Sequence, residues 1–385
     1  MTHQFAPRQI YLDHAATTPL DPHVAEVMLP YLTAVYGNPS SLHFAGRQAK
    51  RAMDEARATL AASLGAQPSE IIFTGSGSEA DNLALIGVAQ SQRSRGRHII
   101  VSSIEHHAIL ETAKYLATVG FEVQCLPVDA YGMVGPDTLR RALCPDTALV
   151  SIMHANNEIG TVQPIAELAA IAHEHNCLFH TDAVQTVGQV PVDVKALDVD
   201  LLTFSAHKFY GPKGVGGLYV RTGVGLMPLV HGGAQEHGRR AGTENVAGIV
   251  GAAKALELAR QRLDDEAARL TGLRDRLWEQ ISSRIHEARL NGHPTKRLPN
   301  NVNVSFKGIE AEALLLRLSQ AGIAASMGSA CTSESIEPSH VIRALGLPAE
   351  WERGVLRFTL GGHTSEADID YTVDVLADSV AAMRA

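Results

Sequence analysis

Cysteine is scarce in this sequence, and long hydrophobic runs are missing. The 385 residues include four cysteines, no two of which have CxxC spacing, and this argues against a disulfide scaffold. No segment approaches the ~20 consecutive apolar residues of a membrane span. The first eight residues carry no apolar stretch of the signal-peptide kind. We therefore expect a cytoplasmic protein.

Positive charge and metal-binding motifs are also in short supply. The 33 Lys and Arg residues against 41 Asp and Glu give a net charge of −8, which argues against a dedicated nucleic-acid binder. Despite 18 histidines, the sequence has no HExxH motif and no Cys/His pairs of zinc-finger spacing. We expect no metal site. His173 and His175 are expected to be solvated helix residues, since residues two apart do not share a helix face.

The four cysteines fall into two classes. Cys125, Cys144 and Cys177 lie in or beside predicted regular structure, so we expect buried and inert thiols. Cys331 lies among small and polar residues with no apolar period, which predicts an exposed loop. Such a thiol is either a reactive nucleophile or an incidental surface group.

Between about residues 70 and 220, short apolar runs alternate with helix-length segments. This alternation indicates βαβ units and a mainly parallel sheet with helices on both faces. After Thr243 comes a long helical stretch to about Arg284, followed by an α+β pattern. We expect an α/β fold with a large domain, residues 15–260, and a smaller α+β domain made of residues 1–14 and 261–385. The strands predicted in the large domain are Ile71–Thr74, His98–Ser102, Leu149–Met153, Cys177–Thr181, Leu201–Ala206 and Gly217–Val220.

Asp182 directly follows one of these apolar runs, and Lys208 lies two residues after another. Both residues should lie at strand ends, where open α/β sheets bind their ligands. An amine and a carboxylate are the two groups that pyridoxal 5'-phosphate requires, because a lysine forms the Schiff base and an acid keeps the pyridine nitrogen protonated. The pair therefore points to this cofactor.

A Gly/Ser turn at residues 74–78 leads from a predicted strand into a helix expected over Glu79–Gln90. The N-terminus of that helix, with the Ser76 and Ser78 hydroxyls, suits a phosphate group. The turn is neither a Walker loop nor a dinucleotide fingerprint. A simple tight connection is the alternative, but together with Lys208 the phosphate interpretation is favoured.

Further polar residues follow other predicted strands. His106 either stacks over the cofactor ring or caps a helix. Asn156 is expected to form a turn, whereas Asn157 and Gln185 are placed to donate hydrogen bonds to the cofactor.

Taken together, these motifs resemble the NifS/IscS-type cysteine desulfurases, which belong to the aminotransferase class V, fold-type I enzymes that use pyridoxal phosphate. The likeness covers nearly the whole chain, with the motifs in the same order. They are Tyr11–Pro19, Gly37–His43, His154–Gly160, Ser205–Gly214, Arg240–Asn245, Gly328–Ser333 and Leu356–Phe358.

The resemblance implies a role for each cofactor-binding residue. Lys208 would form the Schiff base, Asp182 would pair with the pyridine nitrogen, and Gln185 would bind the phenolic oxygen. His106 would stack on the ring and serve as acid or base. The phosphate would be held by Gly77, Ser78, Ser205, His207 and, from a second subunit, Thr243. The family commonly has Thr where this chain has Ser78, but the hydroxyl is kept.

The resemblance also implies the substrate, the nucleophile and the reaction. Asn157 and Arg357 would bind the substrate carboxylate, and Cys331 would be the nucleophile. L-cysteine would be converted to L-alanine, with the sulfur held as a persulfide on Cys331. From there it would pass to acceptors for iron-sulfur cluster assembly or tRNA thiolation. The chain would form a homodimer.

Other activities fit parts of the pattern. A selenocysteine lyase or another class V aminotransferase would use the same cofactor, although an aminotransferase needs no thiol at Cys331. An assembly scaffold that exchanges sulfur or metal would need neither Asp182 nor Lys208.

Overall fold

The computed structural model describes residues 9–328 and 338–385, which form an α/β fold with two main sheets. In chain order the strands are β1 Ile10–Tyr11, β2 Ile71–Thr74, β3 His98–Ser102, β4 Glu122–Leu126, β5 Thr147–Ser151, β6 Leu178–Asp182, β7 Leu201–Ser205, β8 Gly216–Val220, β9 Ala288–Asn291, β10 Asn301–Phe306, β11 Ile323–Ala324 and β12 Val355–Thr359. The α-helices are α1 Pro22–Thr33, α2 Phe44–Leu64, α3 Gly77–Ser91, α4 His107–Thr118, α5 Pro136–Ala142, α6 Ile165–Glu174, α7 Val246–Gln261, α8 Leu263–Arg284, α9 Ala311–Gln320, α10 His340–Ala344, α11 Ala349–Glu352 and α12 Glu366–Arg384.

The large sheet has seven strands in the order β2-β8-β7-β6-β5-β3-β4. Strand β8 is antiparallel to both of its neighbours, and the other pairings are parallel. The predicted mixed, mainly parallel sheet is confirmed. Five of the strands are buried along their whole length, and β6 is buried except at Leu178, as expected for continuous apolar runs covered by helices on both faces.

Alternate residues along these strands pack against different helix layers. Phe179 and Phe204 contribute to a core shared with α2, α6 and α7. Leu149 and Leu201 contribute to the core shared with α3 and α4 on the other face. Because the side-chain period of a strand is two, His180 and Asp182 lie on the α3/α4 face.

The second sheet is antiparallel, in the order β12-β10-β9, and packs against α8, α9 and α12 around Leu277, Leu314 and Leu376. The long predicted helical stretch is two helices, α7 and α8, which meet at Arg262. Strand β5 begins two residues before the predicted Leu149. No helix in the described ranges is both long and apolar enough to cross a membrane.

Two sequence predictions about single side chains are wrong. Cys125 is exposed rather than buried, because β4 is an edge strand in which only Leu126 is buried. Cys177 is buried as predicted, and Cys144 is half-buried. His173 is not simply solvated, since its two ring nitrogens lie 3.2 Å from Asp198 Oδ2 and 2.9 Å from Asp200 Oδ2.

Candidate active site

A cavity of about 190 Å³ lies where β6 and β7 end and α3 begins. The structure brings ten of the twelve predicted site residues to its wall: Gly77, Ser78, His106, Asn157, Asp182, Gln185, Ser205, His207, Lys208 and Arg357. Parallel neighbouring strands explain this convergence, because their carboxyl ends meet at one edge of the sheet.

Asp182 ends β6, and Lys208 lies in the short 3-10 turn that follows the adjacent strand β7. Asp182 Oδ1 accepts a hydrogen bond from Val184 N at 2.9 Å. Burial raises the pKa of Asp182 to about 6, opposed by that hydrogen bond and by the charge of Lys208. Lys208 Nζ donates hydrogen bonds to the carbonyl oxygens of Ala15 and Ala16. The N-terminal segment therefore lies directly against the lysine amine.

The N-terminus of α3 provides a site that fits a phosphate. Ser76 lines the cavity and caps the helix by accepting from Glu79 N at 3.1 Å, which leaves its O–H free to donate to a phosphate, so that predicted use stays a prediction. The first N–H groups of the helix have no partner within it and lie at its positive end. Ser205 Oγ is buried and makes no hydrogen bond to the residues described.

Gly77 has no room for a side chain, because the start of α3 packs closely against the neighbouring residues. A Cβ atom at this position would lie 2.9 Å from Val184 Cγ2 and 3.3 Å from Ser205 Cβ. His207 Nδ1 lies 3.1 Å from Thr17 Oγ1, which orients the imidazole at the same end of the cavity. A lysine, a buried carboxylate and a cradle of phosphate donors therefore meet in one cavity, and this donor set fits pyridoxal phosphate.

His106 combines both of the predicted alternatives. It is the N-cap of α4, where its Nδ1 accepts from Ala108 N at 3.1 Å, and its ring also lines the cavity. Burial lowers the pKa of His106 to about 4, with smaller contributions from Lys208 and His107. At neutral pH the ring is therefore neutral, and the cap places its proton on Nε2.

The two amide residues of the wall differ in what they contact. Gln185 Nε2 donates to Ala15 O at 3.1 Å. The backbone oxygen of Asn157 accepts from Arg357 at 2.9 Å. Asn156 forms a turn as predicted, since its Oδ1 accepts from Glu158 N and Ile159 N.

Arg357 reaches the cavity from β12 of the second sheet and is only 1% exposed. A guanidinium nitrogen donates to Asp13 Oδ1 at 2.7 Å. Ser326 and Arg357 also exchange backbone hydrogen bonds of 3.1 and 2.7 Å. The chain therefore runs past Arg357 only five residues before Cys331, and five residues span at most ~18 Å.

Two predicted site residues are not on this wall. Cys331 lies outside the described residues. Thr243 is exposed and does not line the cavity of its own chain.

Sequence reasoning missed three contributors to the site. Asp81 lines the cavity one helical turn after Ser78, and that three-residue spacing was a usable signal. The carbonyl groups of Ala15 and Ala16 left no signal, because any residue type supplies a backbone oxygen.

Comparison with known proteins gives consistent results over the full length. The chain matches the family model described as aminotransferase class-V over residues 10–372. It is 54% identical to the cysteine desulfurase IscS of Dictyoglomus turgidum, covering 98% of this chain and 96% of that protein. The IscS of Methanosarcina thermophila is also 54% identical, with 98% and 93% covered.

Solved structures agree with these relatives. A NifS-like protein superposes with a TM-score of 0.91 at 41% identity, covering 96% of this chain and 99% of that one. The structure described as SspA in complex with cysteine has a TM-score of 0.81 at 38% identity, covering 91% of this chain and 99% of that one.

Proposed function

The chain belongs to the aminotransferase class-V family and is a pyridoxal-phosphate-dependent cysteine desulfurase, and from this premise we propose how its own residues carry out the reaction. The observation that carries the proposal is the meeting of Lys208, Asp182 and the N-terminus of α3 in one cavity. When bound, the cofactor supplies an electron-withdrawing ring that stabilises negative charge on the substrate's α-carbon.

The cofactor is proposed to lie between α3 and the carboxyl ends of β6 and β7. Lys208 holds it covalently, Asp182 pairs with its pyridine nitrogen, and Gln185 binds its phenolic oxygen. The phosphate is held by Gly77, Ser78, Ser205 and His207, since the buried Ser205 hydroxyl has no other partner among the described residues.

The substrate carboxylate is proposed to bind Arg357, assisted by Asn157. A buried guanidinium gives short, charge-assisted hydrogen bonds to a carboxylate. Arg357 already pairs with Asp13, so the substrate enters a site in which this positive charge is oriented in advance.

Proton transfer at the α-carbon is proposed to be the work of the Lys208 amine. His106 has its Nδ1 occupied by the Ala108 N–H, which leaves Nε2 as a hydrogen-bond donor rather than a base. His106 then stacks on the ring and donates a hydrogen bond, and it acts as a base only if the cap is broken.

Cys331 is proposed to be the nucleophile. Its thiolate attacks the sulfur of the bound cysteine, a sulfur–sulfur bond forms, and the carbon–sulfur bond breaks. The electrons of that bond return to the carbon skeleton, which takes up a proton and leaves as alanine. The persulfide stays on Cys331 until an acceptor removes its outer sulfur.

A homodimer is proposed from the surface of the loop that joins α1 to α2 and of the start of α2. Large apolar side chains are well exposed here, with Tyr36 at 83%, Leu42 at 89% and Phe44 at 78%. Such a patch is typical of an interaction surface. In a dimer, the exposed Thr243 would complete the phosphate site of the partner subunit.

Domain division, location and acceptor are further proposals. The apolar core that contains Ile10 and Leu12 is otherwise formed by residues 270–380, which supports a small domain of residues 1–14 and 261–385 beside a large domain of residues 15–260.

The three cysteines in the described ranges are free, which favours a reducing compartment such as the cytoplasm. We propose iron-sulfur cluster assembly or tRNA thiolation as the use of the sulfur. No observation favours the aminotransferase, selenocysteine lyase or scaffold alternatives.

The test combines purified holoenzyme, L-cysteine and a reducing thiol, and quantifies alanine and sulfide. We expect equal amounts of both from wild type, and loss of sulfide in Cys331→Ala while the absorbance of bound cofactor persists. Cys125→Ala is the matched control, because this thiol is exposed but belongs to the edge strand β4. Undiminished sulfide from Cys331→Ala would overturn the assignment of the nucleophile, and no sulfide from wild type would overturn the activity.

A further inference from the structure

Asp81 is a buried carboxyl group that the proposed reaction does not use. It lies on α3, is 1% exposed, and lines the cavity. The Thr203 hydroxyl makes a hydrogen bond to its carboxyl group. Its Oδ1 has no hydrogen-bond partner within residues 9–328 and 338–385. A buried carboxylate anion normally accepts several hydrogen bonds or pairs with a cation, so this environment is unusual for an anion.

Three polar side chains on β5, β6 and β7 form a row of contacts on the face of the large sheet that Asp81 packs against. They are Ser151, His180 and Thr203. Ser151 Oγ lies 2.8 Å from His180 Nδ1, and His180 Nε2 lies 3.0 Å from Thr203 Oγ1. Strand register produces this order, because Ser151 pairs with His180 and Asp182 pairs with Thr203. The face is the one covered by α3, which places Asp81 beside Asp182.

Among the residues that the structure describes, no Lys or Arg side chain forms an ion pair with Asp81. His180 is the nearest basic side chain, but its Nε2 is 3.9 Å from Asp81 Oδ1, too far for a hydrogen bond. Burial lowers the pKa of His180 to about 3, so its ring is neutral. The charge of Lys208, a cation of the same site, lowers the pKa of Asp182.

Two other acids face Asp81. After burial itself, Asp182 and then Glu105 raise the pKa of Asp81 well above its usual range. Glu105 accepts from Ser102 Oγ and from Met153 N, and burial raises its pKa to about 8. Neighbouring buried carboxyl groups cannot all ionise, so protons must stay on some of them.

The unequal surroundings decide which of the pair Asp81 and Asp182 keeps the proton. Asp182 receives the Val184 N–H and feels the charge of Lys208, and both favour its anion. Asp81 receives a single hydroxyl and has an oxygen without a partner among the described groups.

We propose that Asp81 is a positioning residue that remains a neutral carboxylic acid beside Asp182, so that Asp182 is the anion available to the cofactor's pyridine nitrogen. If Asp81 were ionised, its charge would drive the proton onto Asp182, and a protonated Asp182 could not hold a protonated pyridine ring. The proposal rests on the proposed position of the cofactor against Asp182.

Infrared difference spectroscopy of the holoenzyme tests the proposal directly. The spectrum of wild type minus Asp81→Asn at neutral pH is expected to contain the carbonyl band of a protonated carboxyl group, which shifts in D₂O. Asp13→Asn is the matched control, because Asp13 pairs with Arg357 and its loss should remove carboxylate bands instead. Loss of carboxylate bands in the Asp81 difference spectrum would overturn the proposal.

Stability against pH provides a second measurement. A buried acid that stays protonated while the unfolded chain ionises makes the native state bind more protons, so stability falls as pH rises above the unfolded pKa of Asp. Between about pH 5 and 7 the unfolding equilibrium constant of wild type, relative to Asp81→Asn, is expected to rise about tenfold per pH unit. A ratio that does not change with pH would contradict a neutral Asp81.

Two controls separate the possible failures. If Asp81→Asn does not fold, ¹³C NMR of aspartate carboxyl groups in wild type reports the protonation of Asp81, and a carboxylate shift at neutral pH would overturn the proposal. Cofactor absorbance and sulfide production by wild type are measured in parallel. Their presence would keep the proposed function intact even where the Asp81 results are negative.

Discussion

The buried Arg357 and the partly buried Asp13 form an ion pair at the cavity wall, with a guanidinium nitrogen 2.7 Å from Asp13 Oδ1. The other terminal nitrogen donates to Asn157 O at 2.9 Å, while Nε is buried with no partner in the part of the chain that the structure describes. Asp13 belongs to the N-terminal segment and Arg357 to β12. The pair therefore fixes the orientation of the guanidinium that we propose as the ligand of the substrate carboxylate.

Replacing Arg357 by Lys should weaken substrate binding while leaving the cofactor bound. A lysine keeps the charge but cannot offer the fixed fork of donors. Hydrogen bonds to charged groups contribute about 1.5–3 kcal/mol, so we expect KM for L-cysteine to rise about tenfold or more. Steady-state kinetics measure this, with Arg276→Lys on α8, paired with Asp370, as the control. An unchanged KM in Arg357→Lys would exclude Arg357 as the carboxylate ligand.

A second buried pair, Arg57 and Glu236, should dominate the stability of the region around α2. Arg57 donates two hydrogen bonds of 2.8 and 2.6 Å to Glu236, which also accepts from Phe73 N at 2.9 Å. Arg57→Met leaves the Glu236 charge buried without its partner, so we expect a loss of about 3–5 kcal/mol in the free energy of unfolding.

Urea titration of Arg57→Met, of Glu236→Gln and of the double variant measures this loss. The double variant should lose less than the sum of the single variants, since neither charge is left alone. Lys50 and Asp54 form an exposed pair on the same helix, and Lys50→Met should cost about 0–1 kcal/mol. If Arg57→Met and Lys50→Met lost similar amounts of unfolding free energy, the buried ion pair would contribute no more to stability than the exposed one.

The large sheet and the positions of Asp182 and Lys208 at the cavity could be predicted from the sequence, because both depend on local patterns. Asp182 and Lys208 follow apolar runs, and strand ends in parallel sheets meet at one edge. By contrast, nothing local connects Arg357 with Asp13, and the role of Arg357 came from family resemblance alone. Pairing of distant segments depends on tertiary packing, which a short pattern does not contain.

The wrong side-chain predictions have physical reasons too. Helix α2, which was not predicted from the sequence, has a buried face made largely of small residues such as Ala49, Ala52 and Ala56. Cys125 lies in an apolar segment, but the position of its strand at the sheet edge decides its exposure. His173 was predicted to be solvated because its partners, Asp198 and Asp200, lie far along the sequence, in the loop that precedes β7.

His106 should give no inflection in the pH profile of kcat/KM between about pH 5 and 8. Burial lowers its pKa to about 4, so the ring stays neutral across that range. His106→Asn is expected to lower turnover through lost stacking, yet to keep a profile of the same shape. A wild-type inflection near pH 6.5 that disappears in His106→Asn would show instead that the ring titrates during catalysis.

His173 should stabilise the fold more at low pH than at high pH. Its pKa is raised, first by the hydrogen bond to Asp200 and then by the charges of Asp200 and Asp198, with burial opposing them. Because the folded pKa lies above the unfolded value of about 6.5, the native state holds an extra proton between the two values. The contribution is therefore fully present below the unfolded pKa and is lost as pH rises through the folded pKa.

Thermal unfolding of wild type and His173→Gln at about pH 5.5 and 8.5 tests this sign. We expect the variant to lower Tm more at pH 5.5, where the imidazolium pairs with both carboxylates, than at pH 8.5, where a neutral ring keeps only a hydrogen bond. His23→Gln is the matched control, since His23 lies beside Glu26 on α1 with both side chains well exposed. Equal losses of Tm at the two pH values would mean that His173 contributes packing and hydrogen bonding but no charge.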